Sequence, residues 1–87
     1  MSFHIPSEQK ALFIDDKEGF LRVAATEVPR PGSGEVLIRV ESAGLNPVDW
    51  KISALLTAFP AILGTDSAGV VVEVGEGVTD ITVGDRV

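Results

Sequence analysis
The sequence predicts a mostly-β domain: a partly open barrel of five or six short strands with one short helix. Three observations predict it. Runs of apolar and β-branched residues stay at strand length, Gly- and Pro-bearing turns separate them, and a single short helix follows an Asn-Pro pair. Composition agrees, since 45% hydrophobic and 23% charged residues describe a globular chain rather than a disordered one. With 87 residues, the core is small, because chains of this size bury only about 60–65% of the surface exposed on unfolding.

Residues 1–9 read as a polar lead-in and 10–87 as the domain. Lys10 to Ile14 is apolar enough for a strand, Asp15 to Gly19 is a turn cluster, and Phe20 to Val28 resumes strand character. A hairpin is the plain reading. Pro29-Arg30-Pro31-Gly32-Ser33-Gly34 ends it, because two prolines remove ladder donors and two glycines loosen the backbone. Val36 to Glu41 alternates, with Val36, Ile38 and Val40 on one face and Leu37, Arg39 and Glu41 on the other; Ser42 to Leu45 carries the strand to its end. Asn46 suits a helix cap and Pro47 the first helical position, so a helix is expected from Pro47 to about Leu56. Ile62 to Gly69 reads as a glycine-punctuated crossing segment and Val70 to Val74 as a β-branched strand. Val78 to Val83 suits a short strand or an extended loop, and Gly84-Asp85 turns the chain into Arg86-Val87. A new strand is expected there, so the chain reads as cut, with barrel edges left unpaired.

Several functions are disfavoured by composition. The chain has no cysteine and one histidine, His4, so neither disulfides nor thiolate or histidine-built metal sites are available. Seven basic residues against thirteen acidic ones give a net charge of −6. The basic residues are scattered, which argues against nucleic acid as a partner. The longest uncharged stretch, Ile52 to Thr65, holds 14 residues broken by Pro60 and Gly64, too short to cross a membrane. The N-terminus has neither the basic start nor the apolar run of a signal peptide, so the expected location is cytoplasmic. Gly32-Ser33-Gly34 and Gly75-Glu76-Gly77 each begin a G-x-G, but neither has the third glycine or opens a helix, as a dinucleotide loop requires. Both read as turns.

The acid–base candidates are Asp49, Asp66 and His4. His4 lies in the lead-in, with nothing to hold it against a substrate. Asp66, between Gly64 and Gly69, either bonds turn amides or lines a pocket. Asp49 and Lys51 flank Trp50 at the start of the expected helix. They form either an exposed first turn or the wall of a site built from fixed amides and an aromatic face.

Four stretches carry a family resemblance: Gly44-Leu45-Asn46-Pro47-Val48-Asp49-Trp50-Lys51, Leu63-Gly64-Thr65-Asp66-Ser67-Ala68-Gly69-Val70-Val71, Val74-Gly75-Glu76-Gly77-Val78 and Val83-Gly84-Asp85-Arg86-Val87. In this order and spacing they resemble the N-terminal GroES-like domain of medium-chain dehydrogenases/reductases. Within it they look most like the zinc-independent quinone-reductase and enoyl-reductase branch, including the trans-acting enoyl reductases of fungal polyketide pathways. The resemblance runs from about Lys10 to Val87. It makes the fold a partial GroES-like barrel, cut before the doubly wound (Rossmann) domain that holds most of the cofactor.

Where zinc-dependent members carry a cysteine ligand, this chain has Asn46, and where they carry Gly-His-Glu it has Gly64-Thr65-Asp66. An amide and a hydroxyl are poor zinc ligands. The resemblance therefore implies no metal residue, and hydride delivery from NADP(H) to an enoyl thioester or a quinone. It places Val48, Asp49, Trp50 and Lys51 along the nicotinamide end of the cofactor site. Lys51 is expected as an electrostatic or proton-relay group, and Asn46 as an amide donor at the former metal position. The chain alone is expected to be inactive. The alternatives are a quinone oxidoreductase of the same superfamily, or a stand-alone β-domain serving binding or assembly.

Overall fold
The computed structural model describes residues 3–16, 20–51, 56 and 58–87. Five strands and one short helix follow in the order β1 (Glu8–Ile14), β2 (Leu21–Glu27), β3 (Val36–Gly44), α1 (Pro47–Lys51), β4 (Ala61–Ile62) and β5 (Asp66–Val74). The mostly-β expectation is met, and the described strands form two sheets, not a closed barrel: β2-β1-β4 and β3-β5, with every pair antiparallel.

The hairpin forms as expected, from Glu8↔Glu27 to Ile14↔Leu21. β1 starts at Glu8, so the lead-in is shorter than residues 1–9. The polar Glu8 and Gln9 join the ladder because backbone pairing, not side-chain burial, extends it. At the turn end, Asp15 N–H donates to Phe20 O at 2.9 Å. Arg22 closes the same end with its Nε 2.9 Å from both Asp15 carboxylate oxygens and its guanidinium over the Phe13 ring. Lys17 to Gly19 of the expected turn lie outside the described residues.

β3 and β5 differ from the sequence reading in an instructive way. Their register runs from Val36↔Val74 to Gly44↔Asp66, with shifts between Leu37 and Ile38 and between Val40 and Ser42. Each shift leaves one residue unpaired, Val72 on β5 and Glu41 on β3, which bends the ladder and breaks strict alternation. Leu37 is accordingly half-buried and Val40 is 56% exposed, against the expected two-faced pattern. The crossing segment from Ile62 to Gly69 is also largely strand, since it contains the end of β4 and the first four residues of β5. Glycine and serine read as punctuation there, but they are what this strand needs. A Cβ on Gly69 would lie 2.9 Å from both the carbonyl carbon of Arg39 and Cγ2 of Ile38, so only a bare backbone lets β5 approach β3 so closely.

The last residues, where a new strand is expected, pair along β5. Gly69 and Val87 exchange both backbone hydrogen bonds at 3.0 Å, and Val71 N–H donates to Asp85 O at 2.9 Å. This second flank explains why neighbouring Val70 and Val71, which face opposite ways, are both buried. Val78 to Val83 is loop. The two G-x-G stretches are turns that bond each other, with Gly34 N–H donating to Glu76 O at 2.9 Å. Apart from Val70 and Val71 on β5, the buried apolar core among the described residues is Ile14 on β1.

Candidate functional site
The candidate site is the corner where β3 ends and β5 begins. Gly44 and Asp66 are register partners, so the sheet sets the last residue of β3, two before Asn46, beside the first residue of β5. Gly64, at φ +122°, takes a conformation that residues with a Cβ rarely adopt, and it feeds the chain into Thr65 and Asp66. Pro47, with fixed φ and no N–H, opens α1 at once after Asn46.

Four polar side chains meet there. Asn46 Nδ2 donates to Asp66 Oδ2 at 2.7 Å. The Asn46 backbone N–H donates to Asp49 Oδ2 at 2.9 Å, and Thr65 Oγ1 donates to Asp49 Oδ1 at 3.0 Å. Asp49 N–H in turn donates to Asn46 O at 2.9 Å. Asp49 thus supplies the reciprocal half of a capping box, its carboxylate reaching back to the cap residue's amide. Asn46 sits at the cap position as expected, but its side chain is directed to Asp66. Asn46 and Asp49 are half-buried, while Thr65 and Asp66 are exposed.

The expected site residues fall as follows. Asn46 and Asp49 are brought together, and Val48, Trp50 and Lys51 share α1 with Asp49. Lys51 is exposed, and among the described residues no ion pair holds it. Val48 is 45% exposed and Leu45 is 93% exposed, an apolar pair on either side of the Asn46-Pro47 turn. The described part of α1 runs to Lys51, and Leu56, about where the helix is expected to end, is not helical; Ile52 to Leu55 lie outside the described residues. The turn amides of Asn46 and Asp49 were candidates for a ligand, but both are committed within the turn.

Of its two readings, Asp66 does not take the turn-amide one among the described residues: its partner is the side-chain amide of Asn46. Thr65 and Asp66, which replace the histidine and carboxylate of the relatives' Gly-His-Glu stretch, join the corner through Asp49 and Asn46. His4 is exposed, beside Phe3, Ile5 and the Arg30–Glu73 ion pair. Among the described residues, no three His, Cys, Asp or Glu side chains converge as metal ligands, and no helix is long and apolar enough to cross a membrane.

Comparison with known proteins places this corner in context. Residues 32–87 match the alcohol dehydrogenase GroES-like domain, and the chain belongs to that family, the N-terminal domain of medium-chain dehydrogenases/reductases. It is 50% identical over 66 residues to a chloroplast envelope quinone oxidoreductase homolog of Arabidopsis thaliana, covering 69% of this chain and 20% of that protein. It is 42% identical over 82 residues to the enoyl reductase component of lovastatin nonaketide synthase of Aspergillus terreus, covering 94% of this chain and 23% of that protein. Among solved structures it resembles a cobalt- and zinc-bound thermostable alcohol dehydrogenase from Pyrobaculum aerophilum. That likeness has a TM-score of 0.76 and 44% identity over 91% of this chain and 25% of that one. The chain therefore spans a fifth to a quarter of the length of the relatives it matches.

Proposed function
We propose that this chain is the N-terminal part of an NADP(H)-dependent, zinc-independent reductase acting on the activated double bond of an enoyl thioester. The observation that carries the reading is the Asn46–Asp49–Thr65–Asp66 corner. At the positions where zinc-dependent relatives hold their metal, an amide, a hydroxyl and two carboxylates bond one another. Carboxylates alone among these are good zinc ligands, and both are already engaged. Fungal enoyl reductases that match nearly the whole chain support the substrate class.

The residues fit the nicotinamide end of a dinucleotide cofactor rather than its phosphates. Neither G-x-G turn opens a helix, and the two bond each other. Val48 offers an exposed apolar surface, Lys51 a positive charge, and Asn46 a fixed amide. Bound NADPH would supply the hydride. Lys51 would stabilise the negative charge that develops on the substrate's carbonyl oxygen, or relay a proton, and Asn46 would hydrogen-bond the bound group. Asp49 and Thr65 hold the turn that carries both.

A quinone as acceptor is the second reading, favoured by 50% identity to the Arabidopsis quinone oxidoreductase homolog. NADPH oxidation by the intact protein, measured against a panel of enoyl thioesters and quinones, tests both. Turnover with the thioesters supports the first reading and turnover with quinones alone supports the second. Oxidation with neither overturns the proposal.

A further inference from the structure
Asn46 is anchored twice, from two different elements. Its main-chain N–H is held by Asp49 on α1, which is itself braced by Thr65, and its side-chain amide is held by Asp66 on β5. The side-chain bond fixes more than position. An ionised carboxylate accepts hydrogen bonds and cannot donate them, so only the NH2 end of the amide can face Asp66. Turning the amide over would set Oδ1 against a carboxylate oxygen, two acceptors in contact. The 2.7 Å separation is that of a charge-assisted bond.

We infer that Asp66 is a positioning residue: by holding one N–H of Asn46, it sets which end of that amide the corner presents. Oδ1 and the second N–H are then what Asn46 offers to a ligand, one acceptor and one donor. A carboxamide can use both, whereas a bare carbonyl can use only the N–H. The functional part of this inference rests on the proposed reading of the corner as the wall of a nicotinamide and substrate site. The clamp itself does not.

Two measurements separate the clamp from the function. In a nitrogen–proton NMR spectrum of the asparagine-labelled intact protein, the side-chain NH2 pair that disappears in Asn46→Ala belongs to Asn46. One proton of that pair should exchange with water at least about tenfold more slowly than an unstructured asparagine amide, and Asp66→Ala, which removes the acceptor, should abolish the protection. Exchange at the unstructured rate in the unmodified intact protein overturns the clamp. In the intact protein, Asp66→Ala should lower kcat/KM about tenfold, yet have no further effect in an Asn46→Ala background. An equal loss in both backgrounds overturns action through Asn46. Absence of nicotinamide-dependent activity in the unmodified protein refutes the functional reading, and the exchange measurement then decides the clamp by itself.

Discussion
Lys51 is the one basic side chain on α1, exposed at the end of the helix whose first turn carries Asp49. Its free charge has no structural duty among the described residues, so its removal should be felt in chemistry rather than folding. We expect Lys51→Ala to lower kcat of the intact protein by about tenfold to a hundredfold, the scale of one electrostatic or proton-transfer contribution. The melting temperature should change little. Unaltered kinetics would remove Lys51 from the site. The metal question also belongs to single residues. With Asn46 and Thr65 at the ligand positions, purified protein should contain well under one zinc per chain by elemental analysis, and one tightly bound zinc per chain would contradict the zinc-independent reading. The surface ion pairs, such as Arg86–Glu41 at 2.9 Å and Arg22–Asp15, are worth only about 0–1 kcal/mol each. They trim strand ends and do not set the fold.

At the scale of elements, the β3–β5 pair does the positioning. Its close approach at Gly69 predicts that Gly69→Ala forces the strands apart, at a cost of about 2 kcal/mol or more in urea denaturation. A loss under about 0.5 kcal/mol would show that the ladder yields there without strain. The same pair explains what could and could not be seen in the sequence. Hairpin β1–β2 was legible because its apolar runs are local and a turn cluster joins them. The start of α1 was legible because Asn46-Pro47 encodes it directly. The bulges at Glu41 and Val72 were not, since a residue is left unpaired by its partner strand and not by its own neighbours. Nor was the strand character of Asp66 to Gly69, where the small residues that suggested a loop are those that fit between crowded backbones. Asn46 was recognisable as a site residue, but its partnership with Asp66, twenty residues further on, exists only through the register.

The whole molecule is slender, measuring 43 × 23 × 23 Å with a radius of gyration of 14.5 Å, against about 12 Å for a compact domain of this length. Among the described residues its buried apolar core is correspondingly thin: Ile14 on one sheet, Val70 and Val71 on the other. Burying each of these stabilises the fold by about 1.5–3 kcal/mol, which leaves little margin against chain entropy. Large apolar side chains remain in solvent, Phe20 and Val23 at 68% exposure among them. With both G-x-G turns bonded to each other, nothing described here would hold a dinucleotide's phosphates. We therefore expect the 87-residue chain by itself to give no NADPH oxidation with the enoyl or quinone panel. Turnover approaching that of the intact protein would refute this.

The pairing of Gly44 with Asp66 has one more effect. The polypeptide leaves the sheet at one of these residues and re-enters at the other, so both margins of the excursion are welded together whatever its contour length. Extra residues inserted between α1 and β4 would add only closure entropy, which grows with the logarithm of loop size. The length of that excursion can therefore vary while Gly44 and Asp66 keep the Asn46–Asp66 contact in place.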